Sequence, residues 1–374
     1  MKYDYLIVGA GIFGCTLAER IANDLKAAVL IIDKRSHIGG NCYSELDKET
    51  GIETHKYGTH VFHTSSGKAW EYITKFTEFN SYHHQVFANY RNKLYRMPFN
   101  LETINSFYGV KLTPSEAKKF MGKEIGREDI GNPKNLEEKA ISLVGRPLYE
   151  AFIKHYTIKQ WAKNPKDLPS NIIERLPVRY DYRNDYFANT RWQGIPIDGY
   201  TAMFEKMLKS PRIRIKLNCD YFKHSFKVNK KVIYTGPIDQ YFGYKYGKLE
   251  WRTAKLSKKI INLEDYQGTS VINYADPEVK YTRIHEPKHL HPERKQNKNK
   301  TVIFYETSTY DKDNPHYPIN SESNQEKLKK YKKLAFDKEN IIIGGRLGDY
   351  AYYDIDKAIL NALDTYNNRI KLNT

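Results

Sequence analysis

Near the start of the chain, three glycines and an acid have the types and spacing needed to hold a dinucleotide. Gly9, Gly11 and Gly14 form a G-x-G-x-x-G pattern. Gly9 would permit a tight turn, Gly11 would leave room for a pyrophosphate, and Gly14 would let a helix pack closely on a strand. Asp33 follows about 20 residues later, where a carboxylate can accept hydrogen bonds from ribose hydroxyls.

The flanking segments predict the strand, helix and strand that must position these residues. Tyr3 to Val8 is an apolar run typical of a buried parallel strand, and Gly14 opens a stretch with apolar residues at helical spacing. Ala28 to Ile32 is a second apolar run, and it ends at Asp33. The start of the helix would offer free N–H groups and the positive end of its dipole to the phosphates.

The residues after Asp33 indicate which dinucleotide is bound. Lys34-Arg35 is followed by three residues and then by Gly39-Gly40-Asn41. This longer pattern resembles that of the FAD-binding flavoproteins that include amine oxidases, rather than that of NAD dehydrogenases. A second glycine pair would let the backbone approach the cofactor again. The resemblance implies FAD.

The composition bounds the possible partners. The chain has 374 residues, enough for two or three domains, and a net charge of +17. This charge would suit nucleic acid, an anionic membrane surface or an anionic small substrate. The basic runs 288–300 and 327–333 read as an exposed loop and a solvated helix face. Because no zinc-finger, RRM or KH signature is present, we expect no nucleic-acid partner, and a basic nucleic-acid binder is the less favoured class.

Cysteine usage and hydropathy indicate the compartment. Cys15, Cys42 and Cys219 are scattered and odd in number, which predicts reduced thiols and no disulfide framework. We find no apolar stretch of 18 residues and no signal peptide. The sequence therefore predicts a cytoplasmic protein with no transmembrane segment.

The remaining pattern divides the chain into three kinds of segment. Amphipathic helical stretches fill residues 98–173, and residues 247–305 alternate polar and apolar side chains as antiparallel strands do. Residues 68–79 read as a helix and 179–193 as strand-like. Apolar runs that end in glycines recur at 232–237 and 341–346. One sheet built from three separated segments fits these runs, with the other parts inserted between them.

Eight segments, in order along nearly the whole chain, resemble the bacterial UDP-galactopyranose mutase family. They are HKYGTHVFHT (55–64), YTIKQW (156–161), ERLPVRY (174–180), GIPIDGYT (194–201), YTGPIDQYF (234–242), KYTRIHEPKH (280–289), HYPIN (316–320) and GGRLGDYAYYD (344–354). The fold class implied is α/β: a FAD-binding Rossmann-like domain with an inserted helical bundle and a twisted antiparallel β-sheet domain. The ranges expected are 1–80, 195–245 and 335–374 for the FAD-binding domain, 97–175 for the bundle, and 81–96, 176–194 and 246–334 for the sheet domain.

The resemblance also implies a redox-neutral isomerisation of UDP-galactopyranose to UDP-galactofuranose on reduced FAD. In that family, N5 of the reduced flavin attacks the anomeric carbon C1 while UDP leaves, the adduct opens to an iminium, and the sugar ring recloses through a different hydroxyl. The cofactor supplies the difficult step and the protein supplies position and charge. A homodimer is implied by the resemblance alone.

Site residues are carried over by matching these motifs. Catalytic roles are expected for Arg175, Arg283 and His63. Cofactor contacts are expected from Gly9, Gly11, Phe13, Gly14, Asp33, Lys34, Gly40, Asn41, His60, Arg346, Tyr353 and Asp354. Substrate contacts are expected from Phe152, Tyr156, Thr157, Trp161, Arg175, Tyr186, Asn273, Arg283, Tyr317 and Tyr352.

The chemistry of these residues suits a diphosphate leaving group. The guanidinium groups of Arg175 and Arg283 can each donate two hydrogen bonds to a phosphate, and Arg252 is a third candidate. His60 and His63 form an H-x-x-H pair that lacks a third ligand, so no metal is predicted. The histidines at 285, 289 and 291 lie in a basic loop and are expected to be solvated.

Two departures from the family pattern leave the substrate open. His84 stands where some relatives have asparagine near the sugar, and Thr59 replaces proline or alanine. Either change would reshape the pocket around C2 of the sugar, so a mutase acting on UDP-N-acetylgalactosamine is an alternative. A flavin amine oxidase is a further one, which predicts oxygen consumption on an amine.

Overall fold

The computed structural model describes residues 2–173, 176–187, 189–311 and 314–373. In the described part, the strands are β1 (Tyr3–Val8), β2 (Val29–Ile32), β3 (Ser44–Leu46), β4 (Glu53–His55), β5 (Phe62–Thr64), β6 (Val86–Tyr90), β7 (Lys93–Met97), β8 (Trp192–Gly194), β9 (Ile213–Lys216), β10 (Val228–Tyr234), β11 (Trp251–Ile261), β12 (Val271–Tyr274), β13 (Arg283–His285), β14 (Thr301–Thr309), β15 (Tyr317–Pro318) and β16 (Ile341–Ile343). The α-helices are α1 (Ile12–Asp24), α2 (Gly67–Ile73), α3 (Leu101–Tyr108), α4 (Pro114–Ile125), α5 (Leu136–Leu148), α6 (His155–Trp161), α7 (Gly199–Met207), α8 (Ile238–Tyr241), α9 (Glu322–Phe336), α10 (Gly345–Gly348) and α11 (Ile355–Thr365).

The apolar runs that end in glycines form a parallel sheet. Among the described residues, its five strands lie in the order β16-β10-β1-β2-β9. In the central strand β1, Leu6 and Ile7 are fully buried, as expected for a strand covered on both faces. One apolar cluster joins Ile7 to Ile21 of α1 and Ile359 of α11. The sheet thus draws on the beginning, middle and end of the chain, and it places the carboxyl end of β1 beside the glycine turn.

A second sheet carries the alternating segments. In the described part, it has seven strands in the order β15-β11-β14-β13-β12-β6-β7. Its pairs are antiparallel except that of β12 with β6, which is parallel. Register sets Arg283 of β13 opposite Glu306 of β14 and Asn273 of β12.

The helical part lies between β7 and β8 in sequence and has its own apolar cluster. Its helices begin where the sequence signals predict. Thr113 and Glu116 form a capping box before α4, with Pro114 in the first turn, and the side chain of Asn135 accepts from the backbone N–H of Glu138 at the start of α5. A π-helical segment, Tyr149–Lys154, joins α5 to α6 and turns α6 toward the second sheet.

The predicted fold class is confirmed, while two local predictions are wrong. The helix predicted at 68–79 ends at Ile73, because the chain then turns and Phe79 pairs with Pro196. Between 179 and 193, the described residues are mostly irregular, because Tyr186 and Phe187 pack on histidine rings instead of joining a ladder. The predicted domain boundaries stay a prediction. Within the described residues, no helix is long and apolar enough to cross a membrane.

Candidate functional site

The loop after β1 exposes the backbone of several glycines at one end of a cavity. Gly9 has a φ of 111°, and a Cβ there would overlap the hydroxyl oxygen of Thr235. A Cβ at Gly14 would overlap the carbonyl oxygen of Gly9. Gly40 faces Gly11, and a Cβ on Gly40 would lie 2.9 Å from the Cα of Gly11. The two glycine turns therefore approach each other as bare backbone, and we call them the glycine cradle.

Asp33 braces this cradle. Its Oδ2 accepts a hydrogen bond of 2.8 Å from the Ala10 amide, and its Oδ1 accepts one of 2.9 Å from the Arg35 amide. A carboxylate has about four lone-pair sites, so it can still accept from ribose hydroxyls. Arg35 donates to the side chain of Asn41 at 2.9 Å, and its guanidinium lies 4.2 Å from the ring centre of Tyr57.

One cavity of about 2380 Å³ extends from the glycine cradle to α6, β13 and β14. It is lined by every sequence-predicted site residue that the structure describes: Gly9, Gly11, Phe13, Gly14, Asp33, Lys34, Gly40, Asn41, His60, His63, Phe152, Tyr156, Thr157, Trp161, Tyr186, Asn273, Arg283, Tyr317, Arg346, Tyr352, Tyr353 and Asp354. Arg175 lies outside the described residues. The assigned roles of all these residues stay predictions.

At the far end of the cavity, Arg283 is held by two neighbouring strands. Its Nε donates to Asn273 at 3.2 Å, and its Nη1 donates to Glu306 at 3.0 Å. The Arg283 side chain keeps 27% of its surface accessible to the cavity, whereas that of Glu306 keeps 2%. Burial alone would raise the pKa of Glu306, but the charge of Arg283 and the bond from His285 lower it to about 2. The strands thus present a fixed guanidinium with a buried, ionised partner.

His285 and Thr59 extend this pair. His285 Nε2 lies 2.8 Å from the second carboxylate oxygen of Glu306, and His285 Nδ1 lies 2.8 Å from the hydroxyl of Thr59. Thr59 and His285 also line the cavity. Four residues from three separate segments are therefore connected by hydrogen bonds.

One wall of the cavity is formed by α6 and the π-helical segment before it. Phe152 is buried among other aromatic rings of the helical part, so it supports the wall as well as lining it. Burial raises the pKa of Tyr156, whose hydroxyl has no hydrogen-bond partner among the described residues. The side-chain oxygen of Gln160 is unpartnered in the same sense. Trp161 and Thr157 complete the wall, which lines the cavity with aromatic rings and contains two buried polar atoms that have no partner among the described residues.

Another part of the lining carries an arginine beside two tyrosines. The guanidinium of Arg346 lies 4.6 Å from the ring centre of Tyr352 and 5.2 Å from that of Tyr317, and the two rings are stacked at 5.8 Å. Within the described part of the chain, Arg346 Nε is buried without an acceptor. Tyr353 donates its hydroxyl hydrogen to Asp349 at 2.8 Å, which orients it beside this group. A half-buried guanidinium whose Nε has no acceptor among the described residues suits an anionic ligand.

Two histidines of the 55–64 motif line the cavity. His63 stacks on Phe187 at 3.7 Å, with Nε2 4.0 Å from a carboxylate oxygen of Asp354. Burial lowers the pKa of His63, although nearby carboxylates act against this. His60 Nδ1 lies 2.7 Å from the carbonyl oxygen of Gly58, and burial with the charge of Arg346 lowers its pKa to about 4. Both rings are therefore neutral near pH 7.

His84 packs against the aromatic side chains that break the strand pattern at 179–193. Its ring lies 5.1 Å from that of Tyr186 and 5.5 Å from that of Phe187, and its Nδ1 lies 2.9 Å from the Tyr82 hydroxyl. Burial, with the charge of Arg283, lowers the pKa of His84 to about 3. This histidine is a neutral, fixed part of the cavity wall.

The expectation of solvated histidines in the basic loop is wrong. His285 and His291 are buried, and His289 is half-buried beside Asp265 and Glu286. His291 lies against Glu53 of β4, with Nε2 and a carboxylate oxygen 3.2 Å apart. These rings contact carboxylates that the fold brings next to them, rather than solvent.

The third candidate for a phosphate clamp is also excluded. Arg252 is buried, and its Nε donates at 3.0 Å to the Gln160 carbonyl oxygen and to the Ser308 hydroxyl. It does not line the cavity. Its guanidinium covers the ring of Tyr310 at 4.1 Å, so Arg252 joins α6 to the second sheet.

Sequence reasoning missed Glu306, His285 and Phe187 as cavity residues. A signal existed for Glu306, because an acid within the apolar strand TVIFYETST requires a buried cation. His285 lies two residues from Arg283, so both side chains face the same side of β13. For Phe187 the sequence offers no comparable signal.

Comparisons with known proteins agree on the kind of molecule. The model of the family described as UDP-galactopyranose mutase matches residues 151–352, and that of an NAD(P)-binding Rossmann-like domain matches residues 7–76. The chain is 37% identical to a dTDP-fucopyranose mutase of Escherichia coli over 98% of both chains. It is 39% identical to a "Probable UDP-galactopyranose mutase" of Klebsiella pneumoniae, over 96% of this chain and 93% of that one. A solved structure of reduced UDP-galactopyranose mutase matches all of this chain and 94% of that chain, with a TM-score of 0.79 at 14% identity.

Proposed function

The chain belongs to the UDP-galactopyranose mutase family and is thus an isomerase, and from this premise we propose that it interconverts UDP-galactopyranose and UDP-galactofuranose with bound FAD. The observation that carries this proposal is the single cavity that has the glycine cradle at one end and Arg283 at the other. A dinucleotide and a nucleotide sugar would meet in its middle.

The residues present fit FAD. Backbone alone forms the glycine cradle, where a Cβ on Gly40 would close the approach to Gly11, and Asp33 retains capacity for ribose hydroxyls. Arg346 Nε has no acceptor among the described residues, so it can donate to an anionic group of the cofactor. The residues that would hold the cofactor are Gly9, Gly11, Phe13, Gly14, Asp33, Lys34, Gly40, Asn41, His60, Arg346, Tyr353 and Asp354. Reduced FAD, when bound, would supply the nucleophilic N5 that reacts with C1 of the sugar and would gain or lose no electrons overall.

Arg283 would bind the diphosphate and stabilise the negative charge that UDP acquires as its bond to C1 breaks. Its fork can donate two hydrogen bonds at once, and its partners in the sheet hold it in place before substrate arrives. Tyr186, Tyr317 and Tyr352 would donate hydroxyl hydrogens to the same phosphates. We assign Arg175 as the second cation of this clamp, on the sequence match alone.

The α6 wall would bind the uridine. Tyr156 and Trp161 offer aromatic faces for the uracil ring. The Tyr156 hydroxyl and the Gln160 side-chain oxygen, which have no partner in the described part of the chain, would offer a donor and an acceptor. Thr157, Phe152 and Asn273 complete this end. Near the sugar, neutral His63 is fixed by its stack on Phe187, so it can donate an N–H without carrying charge.

A second candidate substrate is dTDP-fucopyranose. The Escherichia coli relative of that activity covers 98% of both chains, more than the Klebsiella relative does. The two substrates share the diphosphate and the ring contraction but differ in the base, in the 2′ position of the ribose and in C6 of the sugar. UDP-N-acetylgalactosamine is the third candidate substrate, because His84 and Thr59 depart from the family pattern near the sugar.

The test starts with the colour of the purified protein. A yellow protein with bound FAD should convert UDP-galactofuranose when reduced with dithionite and should be inactive when oxidised. Parallel assays with dTDP-fucofuranose and UDP-N-acetylgalactofuranose rank the three substrates by kcat/KM. Absence of flavin, or equal turnover in both redox states, would falsify the proposal. Oxygen consumption on amines would indicate the amine oxidase, and light scattering tests the predicted homodimer.

A further inference from the structure

We propose that Thr59, His285 and Glu306 form a hydrogen-bonded relay that positions Arg283 for the substrate diphosphate. The relay rests on the function proposed above, since it acts on the arginine that would bind UDP. Thr59 and His285 are positioning residues here, because they reach the diphosphate through Arg283.

The sheet brings the relay together. Arg283 and His285 lie two residues apart on β13, so they share one face, and Glu306 is the cross-strand partner of Arg283 on β14. The Glu306 carboxylate has one oxygen 3.0 Å from Arg283 Nη1 and the other 2.8 Å from His285 Nε2. Each oxygen is thereby assigned to a different partner.

The charge on Glu306 fixes where the protons lie. With a pKa of about 2, this carboxylate is ionised near pH 7 and can only accept hydrogen bonds. His285 Nε2 therefore carries a hydrogen and donates it to Glu306. His285 Nδ1 lies 2.8 Å from the Thr59 hydroxyl, which can either donate a hydrogen bond to it or accept one from it. Each link of the relay is a complementary donor and acceptor.

His285 prevents a competing geometry. An arginine and a carboxylate favour a bidentate pair with two parallel hydrogen bonds. If the second oxygen of Glu306 were free, the carboxylate could turn and take two N–H groups of Arg283. The guanidinium would then have fewer hydrogens to offer a diphosphate. The imidazole holds that oxygen, so part of the Arg283 fork stays directed at the cavity.

Thr59 ties this arrangement to the other end of the cavity. It lies in the segment between β4 and β5, next to His60, which lies within the electrostatic reach of Arg346. The relay therefore connects the predicted flavin side of the cavity to the predicted diphosphate side. A side chain of similar shape that lacks a hydroxyl would break this link and leave the packing unchanged.

The experiment measures UDP and uridine binding to the oxidised protein as purified, by calorimetry. For His285→Leu we expect UDP affinity to fall about tenfold, as for the loss of one charge-assisted hydrogen bond. Uridine affinity should stay unchanged, because uridine lacks the diphosphate. His285→Gln can still donate to Glu306 and accept from Thr59, so it should restore most of the affinity. Thr59→Val should weaken UDP binding about threefold, and Thr59→Ser should not.

His289→Leu is the matched control, because His289 lies in the same segment but does not line the cavity. It should bind UDP as the wild type does. Unchanged UDP affinity in His285→Leu would overturn the relay, as would an equal loss of UDP and uridine binding, which would indicate general distortion. If His285→Leu does not fold, the two Thr59 variants provide the test. Unchanged UDP affinity in Thr59→Val, or an equal loss in Thr59→Val and Thr59→Ser, would then overturn the relay. Wild-type protein that binds no UDP would overturn both the relay and the proposed function, whereas UDP binding without sugar isomerisation would overturn only the latter.

Discussion

The two ends of the cavity are built from different materials. At the glycine cradle, the walls are backbone, and the residues that form them lie mostly within the first 41 positions. At the Arg283 end, the walls are side chains from β12, β13, β14, α6 and the segment before β5. A backbone site is set by local sequence, whereas a site made of side chains exists only after distant segments have packed together.

The difference also separates the two ends in chemistry. The cradle offers amide groups that do not titrate, so its affinity for a dinucleotide should depend on steric fit. The Arg283 end contains the Arg283–Glu306 ion pair and the neutral ring of His84, so its behaviour depends on charge and proton positions. Substitutions that add volume should damage the first end, and substitutions that remove a partner should damage the second.

The largest effect is expected from added volume at the cradle. Gly14→Ala places a Cβ against the carbonyl oxygen of Gly9, which cannot move without displacing β1 or α1. We expect a loss of about 1–3 kcal/mol in the free energy of unfolding, together with loss of bound flavin. Flavin absorbance and urea unfolding measure the two effects.

Gly122→Ala is the control for this substitution. Gly122 is exposed on α4, and a Cβ there meets nothing within 4 Å. This variant should gain up to about 1 kcal/mol from helix propensity and keep its flavin. Equal flavin content in Gly14→Ala and the wild type would contradict the idea that backbone closeness determines the cradle.

At the other end, two arginines of the same sheet should respond in opposite ways. Arg283→Lys removes the fork that faces the cavity, and we expect kcat/KM to fall by about 100-fold, a cost of about 2.7 kcal/mol in transition-state binding. Stability should change little. Arg252→Lys removes the donor to Gln160 and should lower stability by about 1 kcal/mol without a change in UDP affinity. A loss of UDP binding in Arg252→Lys alone would reverse our assignment of the two residues.

The sequence could predict the cradle and the parallel sheet because their signals are local. Apolar runs, glycine spacing and Asp33 lie within one βαβ unit, and the fold class follows from three repeats of a strand ending in glycine. The Arg283 end was accessible only through family motifs, which gave Arg283 but not its partners. Glu306 and Thr59 are separated from His285 by 21 and 226 positions, so no sequence window contains them.

The wrong predictions have the same origin. The run from 285 to 291 was expected to be solvated because basic residues surround its histidines. The fold places Glu306 and Glu53 against His285 and His291, and these carboxylates replace water. Composition describes the neighbours along the chain, whereas burial depends on neighbours in space.

A pH experiment can test the side-chain end, where His84 is buried. The folded pKa of His84 is about 3, below the value of about 6.5 for an unfolded histidine, so the unfolded state binds more protons between these values. Stability should therefore fall as the pH falls below about 6.5, by up to about 1.4 kcal/mol per pH unit for this residue. In His84→Asn, the free energy of unfolding, measured with urea at pH 7, 6 and 5, should depend less steeply on pH, because this position no longer takes up a proton on unfolding. His83→Asn, at the exposed neighbouring position, is the matched surface substitution for comparison.

The smallest effect, and the one that tests the α6 wall most directly, concerns the unpaired hydroxyl of Tyr156. Without ligand, a buried hydroxyl with no partner among the described residues is unfavourable, so Tyr156→Phe should raise the stability of the ligand-free protein by about 1 kcal/mol. If the hydroxyl binds the nucleotide, the same variant should bind UDP about 2–10-fold more weakly. Tyr149→Phe is the control, because Tyr149 donates to Glu137 at 2.8 Å and does not line the cavity. It should lose stability and keep its UDP affinity. A gain in stability with a loss of UDP affinity in Tyr156→Phe would indicate a hydroxyl that is unsatisfied until a ligand binds, whereas a loss of stability with unchanged UDP affinity would place Tyr156 with structural tyrosines such as Tyr149.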